Sequence, residues 1–325
     1  MTEPHPFLIS PDSPLVKNLF RKKQLLEAGD PAHKEIRPLL IVMGGGMRGV
    51  SGGGAVTALN VLGLNDVFDA VVGASAGAPI AAYFLAGTEQ SYTGTTIFYD
   101  ELSGRKFINP YTFWHMEKLD RLAAAFSQGP KRLDTGAVVR HRSKFFVSLT
   151  EHATGVPELF DVDAHADALV QLLVTTSAIP YLYPHPLHVA KRRYLDGNIN
   201  FSARDALAMQ VIKDFRPTDI VLIPNMEAGR ISAYERGSNG APTRFLPAYL
   251  SKLGQVRRSV AEDVQALGNM HGVTFGVLTL PEGHADVHWL TTDADRLWKL
   301  GNAALKDTLE RFGQPDLFTS LPPPM

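Results

Sequence analysis

The chain has 325 residues, and its 32 basic and 33 acidic residues give a net charge of −1. A balanced charge of this kind gives no support to binding of nucleic acid or of an anionic membrane surface. The absence of cysteine excludes disulfides, thiolate nucleophiles and cysteine-bound metals, while 45% apolar residues are enough for a sizeable core.

The first 37 residues are polar and rich in proline and charge, and we interpret them as an arm with a short helix near 15–28. They lack the basic segment followed by an apolar segment that marks a secretory signal. The longest uncharged stretch, 71–87, contains glycine and proline and is short for a membrane span. We therefore expect a soluble, cytoplasmic protein.

Strand and helix patterns alternate directly after this arm. The apolar run 39–43 is bounded by glycine and predicts a buried parallel strand, and 50–62 follows as a helix. A second apolar run at 68–72 leads into an alanine-rich helix at 76–86. This βαβα order predicts an α/β fold, a three-layer α/β/α sandwich around a mostly parallel sheet.

The region 88–142 is less regular, and its aromatic cluster at 111–116 is compatible with an acyl pocket, a lid or ordinary core packing. No internal repeat is visible. Further along, the pattern predicts alternating strands and helices: a strand at 144–149, a helix at 165–177, a strand at 189–195, a helix at 203–215, a strand at 219–224, helical segments near 244–270, a strand at 273–280 and a last helix at 293–312.

A G-x-S-x-G motif, GASAG at 73–77, lies where the second strand meets its helix. This is the setting of a nucleophile elbow, in which a sharp turn lifts the serine hydroxyl to the top of the sheet. Gly73 and Gly77 lack Cβ atoms where the two backbones would crowd. A tight turn of small residues is the structural alternative, but the strand-turn-helix setting favours Ser75 as a nucleophile.

A glycine-rich loop, GGGMRG, follows the first strand directly. As G-x-G-x-x-G it matches a dinucleotide fingerprint, but that function needs an acidic residue after the next strand, which instead runs into Ser75. The consecutive glycine N–H groups could also converge on a developing oxyanion. A plain turn is the third interpretation. The residues concerned are Gly44, Gly45, Gly46, Arg48 and Gly49.

The tripeptide Asp196-Gly197-Asn198 follows a predicted strand. By itself it is a turn signal. Next to a serine nucleophile, its carboxylate becomes a candidate base. None of the 11 histidines stands in a recognisable motif, and His185 and His188 of the neighbouring proline-rich stretch are more simply structural.

Taken together, the motifs at 44–49, 73–77 and 196–198, with SAIPYLYP at 177–184, resemble those of the patatin-like phospholipase family. The resemblance covers about 38–215 and looks like that of a bacterial member. In that family the glycine-rich loop forms the oxyanion hole, the G-x-S-x-G serine is the nucleophile, and the aspartate of D-G-G or D-G-A is the base.

The resemblance implies a lipid acyl hydrolase in which Ser75 and Asp196 form the catalytic pair. Its oxyanion hole would consist of Gly44, Gly45, Gly46 and Arg48. The supporting motif positions are Gly49, Gly73, Gly77, Gly197 and Asn198. The expected substrate is a lipid or another acyl ester, met in transient contact with a membrane surface, and no nucleic acid is expected.

One departure from the family pattern is Asn198, which stands where the family has glycine or alanine. Asparagine tolerates a left-handed backbone, so the turn can persist. The alternative functions are a weakly active or inactive lipid-binding protein with the patatin fold and a nucleotide-dependent oxidoreductase. Because His115, His141 and His152 lack the spacing of metal ligands, we expect activity without a metal or cofactor.

The chain is thus divided into three parts. Residues 1–37 form the N-terminal arm, 38–215 the patatin-like catalytic domain, and 216–325 a C-terminal extension that completes and covers the sheet. The extension carries no chemical motif of its own.

Overall fold

The structure of the chain is a computed structural model, and it describes residues 5–109, 111, 117–180, 182–183, 185–209, 215–228, 231, 260–284 and 286–321. Within these ranges eight strands form one sheet in the order β5-β6-β3-β2-β1-β7-β8, with β4 paired to β3. The strands are β1 (Pro38–Val42), β2 (Ala70–Ala74), β3 (Lys144–Glu151), β4 (Pro157–Asp161), β5 (Leu187–Val189), β6 (Arg192–Leu195), β7 (Asp219–Ile223) and β8 (Thr274–Val277).

The centre of the sheet is parallel. β1 pairs in parallel with β2 and β7, while β4 and β6 pair with β3 in the antiparallel sense. Because side chains alternate along a strand, Leu40 and Val42 of β1 enter the core on one face, and Leu39 and Ile41 enter the core on the other. A strand that is buried on both faces has apolar residues at consecutive positions in the sequence, as β1 has.

Helices cover both faces, which confirms the predicted three-layer α/β/α sandwich. The first seven helices and α10 pack on one face, and α8 and α9 pack on the other. The helices are α1 (Pro14–Glu27), α2 (Gly49–Val61), α3 (Gly77–Leu85), α4 (Thr88–Asp100), α5 (Leu119–Ser127), α6 (Thr135–Arg140), α7 (Leu169–Thr176), α8 (Ala203–Ala208), α9 (Val260–Gly268), α10 (Ala294–Arg311) and α11 (Leu317–Ser320).

The two ends of the chain both pack on this framework. Helix α1 buries Leu15, Val16 and Leu19 in the core. Strands β7 and β8 extend the sheet beyond β1, and α10 lies against α2, where a Cβ on Gly54 would stand 2.2 Å from the carbonyl oxygen of Gly301. In the described ranges, no helix combines the length and apolar composition needed to cross a bilayer.

The prediction of irregular structure for 88–142 is wrong, because α4, α5 and α6 lie there. Helix α4 has little apolar periodicity because it buries small hydroxyl residues such as Ser91 and Thr95. The Thr95 hydroxyl donates to the carbonyl oxygen of Ser91 at 3.0 Å, so the helix itself satisfies this buried polar group.

The single strand predicted at 189–195 is instead the hairpin of β5 and β6. Its turn holds Ala190 and Lys191 at φ 47° and 67°, without the Asn-Gly or Asp-Gly pair that signals such a turn. The helix predicted from 165 begins at Leu169, after a 3₁₀ turn at Asp163–Ala168.

Other predictions fall partly outside the described residues. Strand β4 has no counterpart among the predicted elements. The predicted helix at 203–215 is described as α8 alone, since 210–214 lie outside the described part. The same holds for 112–116 of the aromatic cluster and for 244–259 of the predicted helical segments.

Candidate active site

Strand β3 brings the serine and aspartate motifs together. Ser148 pairs with the last residue of β2, and Thr150 pairs with the last residue of β6, while both also pair with β4 on the opposite edge. Strands β2 and β6 therefore share one edge of β3 and run toward each other. The residues that follow them, Ser75 and Asp196, meet where the two strands end.

The turn at Ser75 is sharp and closely packed. Ser75 has φ 51°, a left-handed conformation that costs energy for a residue other than glycine. A Cβ on Gly77 would lie 2.1 Å from the carbonyl oxygen of Val42, and one on Gly73 would lie 2.5 Å from Cα of Ala78. Both glycines of the motif are therefore required by the approach of neighbouring backbone.

The Ser75 hydroxyl donates a hydrogen bond to Oδ2 of Asp196 at 2.5 Å. Both residues are buried, with 5% and 4% of their surface exposed. The histidines nearest to Asp196 in the sequence, His185 and His188, are exposed. Among the described residues, no three histidine, aspartate or glutamate side chains come together in a way that could hold a metal ion.

Asp196 is held by hydrogen bonds from three directions. Its N–H donates to the carbonyl oxygen of Ala178 at 3.0 Å, and its own carbonyl oxygen accepts from the Thr150 hydroxyl at 2.8 Å. Its Oδ1 accepts the N–H of Asn198 at 2.8 Å. The carboxylate is thus oriented so that Oδ2 faces Ser75.

Thr176 joins the two motifs, and the sequence analysis did not identify it. Its hydroxyl accepts the N–H of Ser75 at 2.8 Å and donates to the carbonyl oxygen of Ser148 at 2.7 Å. Its carbonyl oxygen accepts the N–H of Gly197 at 2.9 Å. A Cβ on Gly197 would lie 1.9 Å from the carbonyl oxygen of Ser148, so this turn also needs glycine.

The glycine-rich loop lies directly against the serine. A Cβ on Gly44 would stand 2.6 Å from Cβ of Ser75 and 2.9 Å from Cβ of Asn198. The Gly44 N–H donates to Oδ1 of Asn198 at 3.1 Å. The N–H groups of Gly45 and Gly46 have no acceptor within the described residues, and Gly46 borders the same cavity as Ser75.

Asn225 supports this loop from behind, and it too was absent from the sequence prediction. It is buried, with φ 51°, and its amide accepts the N–H of Gly52 at 2.8 Å and donates to the carbonyl oxygen of Met43 at 2.7 Å. A Cβ on Gly45 would lie 2.7 Å from Cβ of Asn225. Asn225, the second residue after β7, therefore fixes the end of β1 and the start of α2.

The far end of the loop rests on the C-terminal part of the chain and on α3. The Met47 N–H donates to the carbonyl oxygen of Trp289 at 2.9 Å. The half-buried Arg48 leads into α2, and a Cβ on Gly49 would stand 2.9 Å from Cβ of Ala76. The starts of α2 and α3 can therefore approach each other beside the serine, with their positive helix ends on this side.

An apolar cavity opens beside Ser75. It encloses about 560 Å³, part of which is open to solvent, and its wall is built mainly from α3, α4 and α5 with side chains such as Ile80, Ile97 and Leu122. The polar groups in its wall include Ser177 and Glu117. The apolar character of this wall suits a hydrocarbon chain.

Glu117 is the unexpected member of this wall. It is 2% exposed, and its Oε2 accepts the N–H of Ile179 at 3.0 Å. Burial raises the pKa of this carboxyl well above its ordinary value, the Asp196 carboxylate raises it further, and the Ile179 N–H opposes the shift. No motif marks Glu117 in the sequence.

A family model described as patatin-like phospholipase matches residues 40–207, more than half of the chain. Among solved structures, VipD from Legionella pneumophila is similar over 88% of this chain and 67% of its own, with 14% identity and a TM-score of 0.48. The comparison with curated proteins gives no match. The matched segment contains Ser75 and Asp196, and the chain belongs to the patatin-like phospholipase family.

Proposed function

We propose that this protein is a lipid acyl hydrolase in which Ser75 attacks the ester carbonyl and Asp196 is its base. The family supports hydrolysis of lipid esters in general. The observation that carries the finer assignment is the hydrogen bond of 2.5 Å from the Ser75 hydroxyl to Asp196. It lies at the mouth of an apolar cavity that would take the acyl chain.

In the first half of the reaction, Oδ2 of Asp196 takes the Ser75 proton as Oγ forms a bond to the carbonyl carbon. The carbonyl oxygen becomes a tetrahedral oxyanion. The protonated Asp196 then gives its proton to the leaving alcohol as the ester C–O bond breaks. The product of this half-reaction is an acyl ester on Ser75.

In the second half, water takes the place of the alcohol. Asp196 removes a proton from this water as its oxygen attacks the acyl ester, and the proton returns to Oγ of Ser75 when the tetrahedral species collapses. The free acid leaves, and Asp196 is again ionised. One carboxylate can serve both halves because Asn198 and Ala178 hold its orientation unchanged.

The oxyanion is assigned to the N–H groups of Gly45 and Gly46. Both have no acceptor within the described residues, and backbone donors fixed in place before the reaction stabilise charge that forms in the transition state. The Gly44 N–H is engaged by Asn198. The sequence prediction assigned Gly44 and Arg48 to the hole as well, and this remains a prediction.

A second candidate function is binding of a lipid without turnover. One observation favours it: the side chain of Asn198 occupies the Gly44 N–H, which the family pattern assigns to the oxyanion hole. A binding protein of this kind would still fill the apolar cavity. It would not form a covalent acyl ester at Ser75.

The two functions are separated by hydrolysis of p-nitrophenyl esters of graded chain length, with labelling by a fluorophosphonate in parallel. We expect the Ser75→Ala variant to lose activity by about 10⁴-fold or more and to lose labelling. For Asp196→Asn we expect a loss of about 10³-fold to 10⁴-fold, because the amide cannot accept the proton. Ser127→Ala, at an exposed serine ending α5, is the control and should keep both properties.

Full activity in Asp196→Asn would exclude the Ser-Asp pair and direct attention to a histidine. Wild-type turnover equal to that of Ser75→Ala, without labelling, would exclude the hydrolase and leave the lipid-binding function. The chain-length profile of the wild type also measures the length of acyl chain that the cavity accepts.

A further inference from the structure

A single carboxyl group, that of Glu117, lies in an otherwise apolar wall. The described residues that line the cavity include no lysine, arginine or histidine. The other lining groups able to form hydrogen bonds include Ser177, whose hydroxyl donates to the carbonyl oxygen of Leu173 at 3.0 Å. Glu117 is therefore the polar group of this wall that needs an explanation, and the hydrolysis steps do not use it.

Within the described part of the chain, only one oxygen of this carboxyl group has a hydrogen-bond partner. Oε2 accepts the Ile179 N–H at 3.0 Å, whereas Oε1 has no hydrogen-bond partner among the described residues.

The apolar wall favours the neutral form of this carboxyl group. Burial raises its pKa, and the titratable groups that face it among the described residues include the Asp196 carboxylate, which raises the pKa further, and Tyr83, whose own pKa is raised by burial. A neutral carboxyl group has one O–H donor and one carbonyl acceptor. Since Oε2 accepts from Ile179, the proton resides on Oε1 and is available to a ligand.

The carboxyl group lies close to the reacting atoms. Ile179 donates to it, and the preceding residue, Ala178, accepts the N–H of Asp196. Glu117 and the Ser75-Asp196 pair are thus linked through one peptide unit. Ser75 and Glu117 both line the cavity, so an acyl chain bound at Ser75 shares the cavity with this carboxyl group.

We infer that the cavity selects acyl chains that carry an oxygen acceptor, with Glu117 donating its proton in a hydrogen bond to that oxygen. The ligand class is an oxygen-substituted fatty acyl ester, with an ether, hydroxyl or keto oxygen in the chain. A plain hydrocarbon chain leaves the Glu117 O–H unpaired, and sites built around a buried polar group discriminate strongly against ligands that lack its partner. This inference rests on the proposed function, because it assigns the same cavity to the acyl group.

The test compares p-nitrophenyl octanoate with its 3-oxa, 5-oxa and 7-oxa analogues, in which one ether oxygen replaces one methylene. The four esters have equal length, and the ether oxygen only accepts hydrogen bonds. Each kcat/KM is divided by the rate of hydroxide hydrolysis, which removes differences in intrinsic reactivity. For at least one analogue we expect the wild-type value to exceed that of octanoate by about tenfold or more.

Two variants assign this preference to Glu117. Glu117→Met fills a similar volume without a donor, so the ratio of the corrected kcat/KM of the oxa analogue to that of octanoate should fall to about one. Glu117→Gln keeps an acceptor for the Ile179 N–H and a donor toward the cavity, so it should retain the ratio. If Glu117 had only a structural role, Glu117→Met would lower kcat/KM equally for octanoate and its oxa analogues and would keep the wild-type ratio between them. That result would overturn the inference.

A wild-type ratio near one for all three analogues would also overturn it, whether or not Glu117→Met folds. Absence of any Ser75-dependent hydrolysis, including that of octanoate, would instead refute the proposed function. Calorimetric binding of methyl octanoate and its oxa analogues to Ser75→Ala keeps the inference testable in that case. Equal affinity for methyl octanoate and its oxa analogues would contradict the inference. Tighter binding of an oxa analogue would support the inference if the preference disappears in the double variant that also carries Glu117→Met.

Discussion

The two sides of the proposed site are built in different ways. The dyad region, defined as Ser75, Ser148, Thr176, Asp196 and Gly197, is held by directional hydrogen bonds between polar groups. The wall of the apolar cavity consists mainly of hydrocarbon side chains, with Glu117 as a carboxyl group that has a hydrogen-bond partner for one of its two oxygens among the described residues.

The difference decides what each side tolerates. In the dyad region, a missing hydrogen-bond partner or an added methyl group alters the geometry of the reacting atoms. In the cavity wall, apolar side chains of similar volume replace one another at modest cost. Substitutions in the dyad region should therefore affect stability and turnover together, whereas those in the wall should affect the choice of substrate.

The largest effect is expected for Gly197→Ala. The new Cβ would lie 1.9 Å from the carbonyl oxygen of Ser148 and 2.4 Å from the Thr176 hydroxyl oxygen, so the turn that carries Asp196 must move. Overpacking against backbone should lower the free energy of unfolding by about 3 kcal/mol. A displacement of about 1 Å at Asp196 should lower kcat by about 10²-fold. Denaturant unfolding and ester hydrolysis measure the two effects.

Gly136→Ala is the matched control. A Cβ on Gly136 in α6 would lie 2.9 Å from the flexible end of Arg140 and 3.3 Å from Oδ1 of Asp134, with no backbone atom among its nearest contacts. Alanine is also the better helix former, by about 0.5–1 kcal/mol. We expect equal or slightly higher stability and unchanged kcat. Equal losses in both variants would mean that the close packing at Gly197 has no special role.

The glycine motifs explain why so much of the dyad region was predictable. A Cβ at Gly44, Gly73 or Gly77 would lie less than 2.7 Å from a neighbouring atom, so glycine is the residue that fits at these positions. The close packing of the site therefore leaves a direct trace in the sequence motifs. The central strands were predictable for a related reason. β1 is buried on both faces, and a continuous apolar run is the direct consequence.

The supporting residues were not predictable, because their roles depend on contacts far apart in sequence. Thr176 bonds to a residue 101 positions away, and Asn225 to one 182 positions away. Neither stands in a local pattern that differs from an ordinary helix end or loop. Glu117 is similar: its burial follows from the packing of the cavity wall, and an isolated glutamate in a sequence is typically exposed.

The second prediction concerns Thr176→Val, which keeps the shape of the side chain and removes its hydroxyl. The Ser75 N–H loses its acceptor and the Ser148 carbonyl loses a donor, both in a buried setting. The free energy of unfolding should fall by about 1–3 kcal/mol. Loosening of the Ser75 turn should lower kcat by about tenfold to a hundredfold with little change in KM.

The neighbouring threonine provides the control for this prediction. The Thr175 hydroxyl is buried without a hydrogen-bond partner in the described structure, so Thr175→Val removes an unpaired polar group and should be neutral or stabilising. Thr176→Ser, which retains the hydroxyl, should restore kcat. If Thr176→Val kept wild-type kcat, Thr176 would be structural and not a positioning residue.

The smallest effect on turnover is expected in the cavity wall, where the change is in the pH dependence of stability. Glu117 keeps its proton in the folded state because burial raises its pKa, whereas its unfolded pKa stays near 4.5. Above pH 4.5 the unfolded chain releases this proton and the folded chain does not. The stability contribution is therefore complete below pH 4.5 and is lost as the pH rises toward the folded pKa, at no more than about 1.4 kcal/mol per pH unit.

Glu117→Gln does not titrate, so its stability relative to the wild type should increase as the pH rises above 4.5. Denaturant unfolding between pH 4 and pH 8 measures this difference, and all other titrating groups, including Asp196 and Tyr83, are common to both proteins. Glu282→Gln, at an exposed glutamate, is the matched control over the same range. If the free energy of unfolding of Glu117→Gln changed with pH in the same way as that of the wild type, Glu117 would be ionised in the folded protein. It would then offer a ligand a charge in place of a hydrogen-bond donor, and the preference would shift from oxygen acceptors to hydrogen-bond donors in the acyl chain.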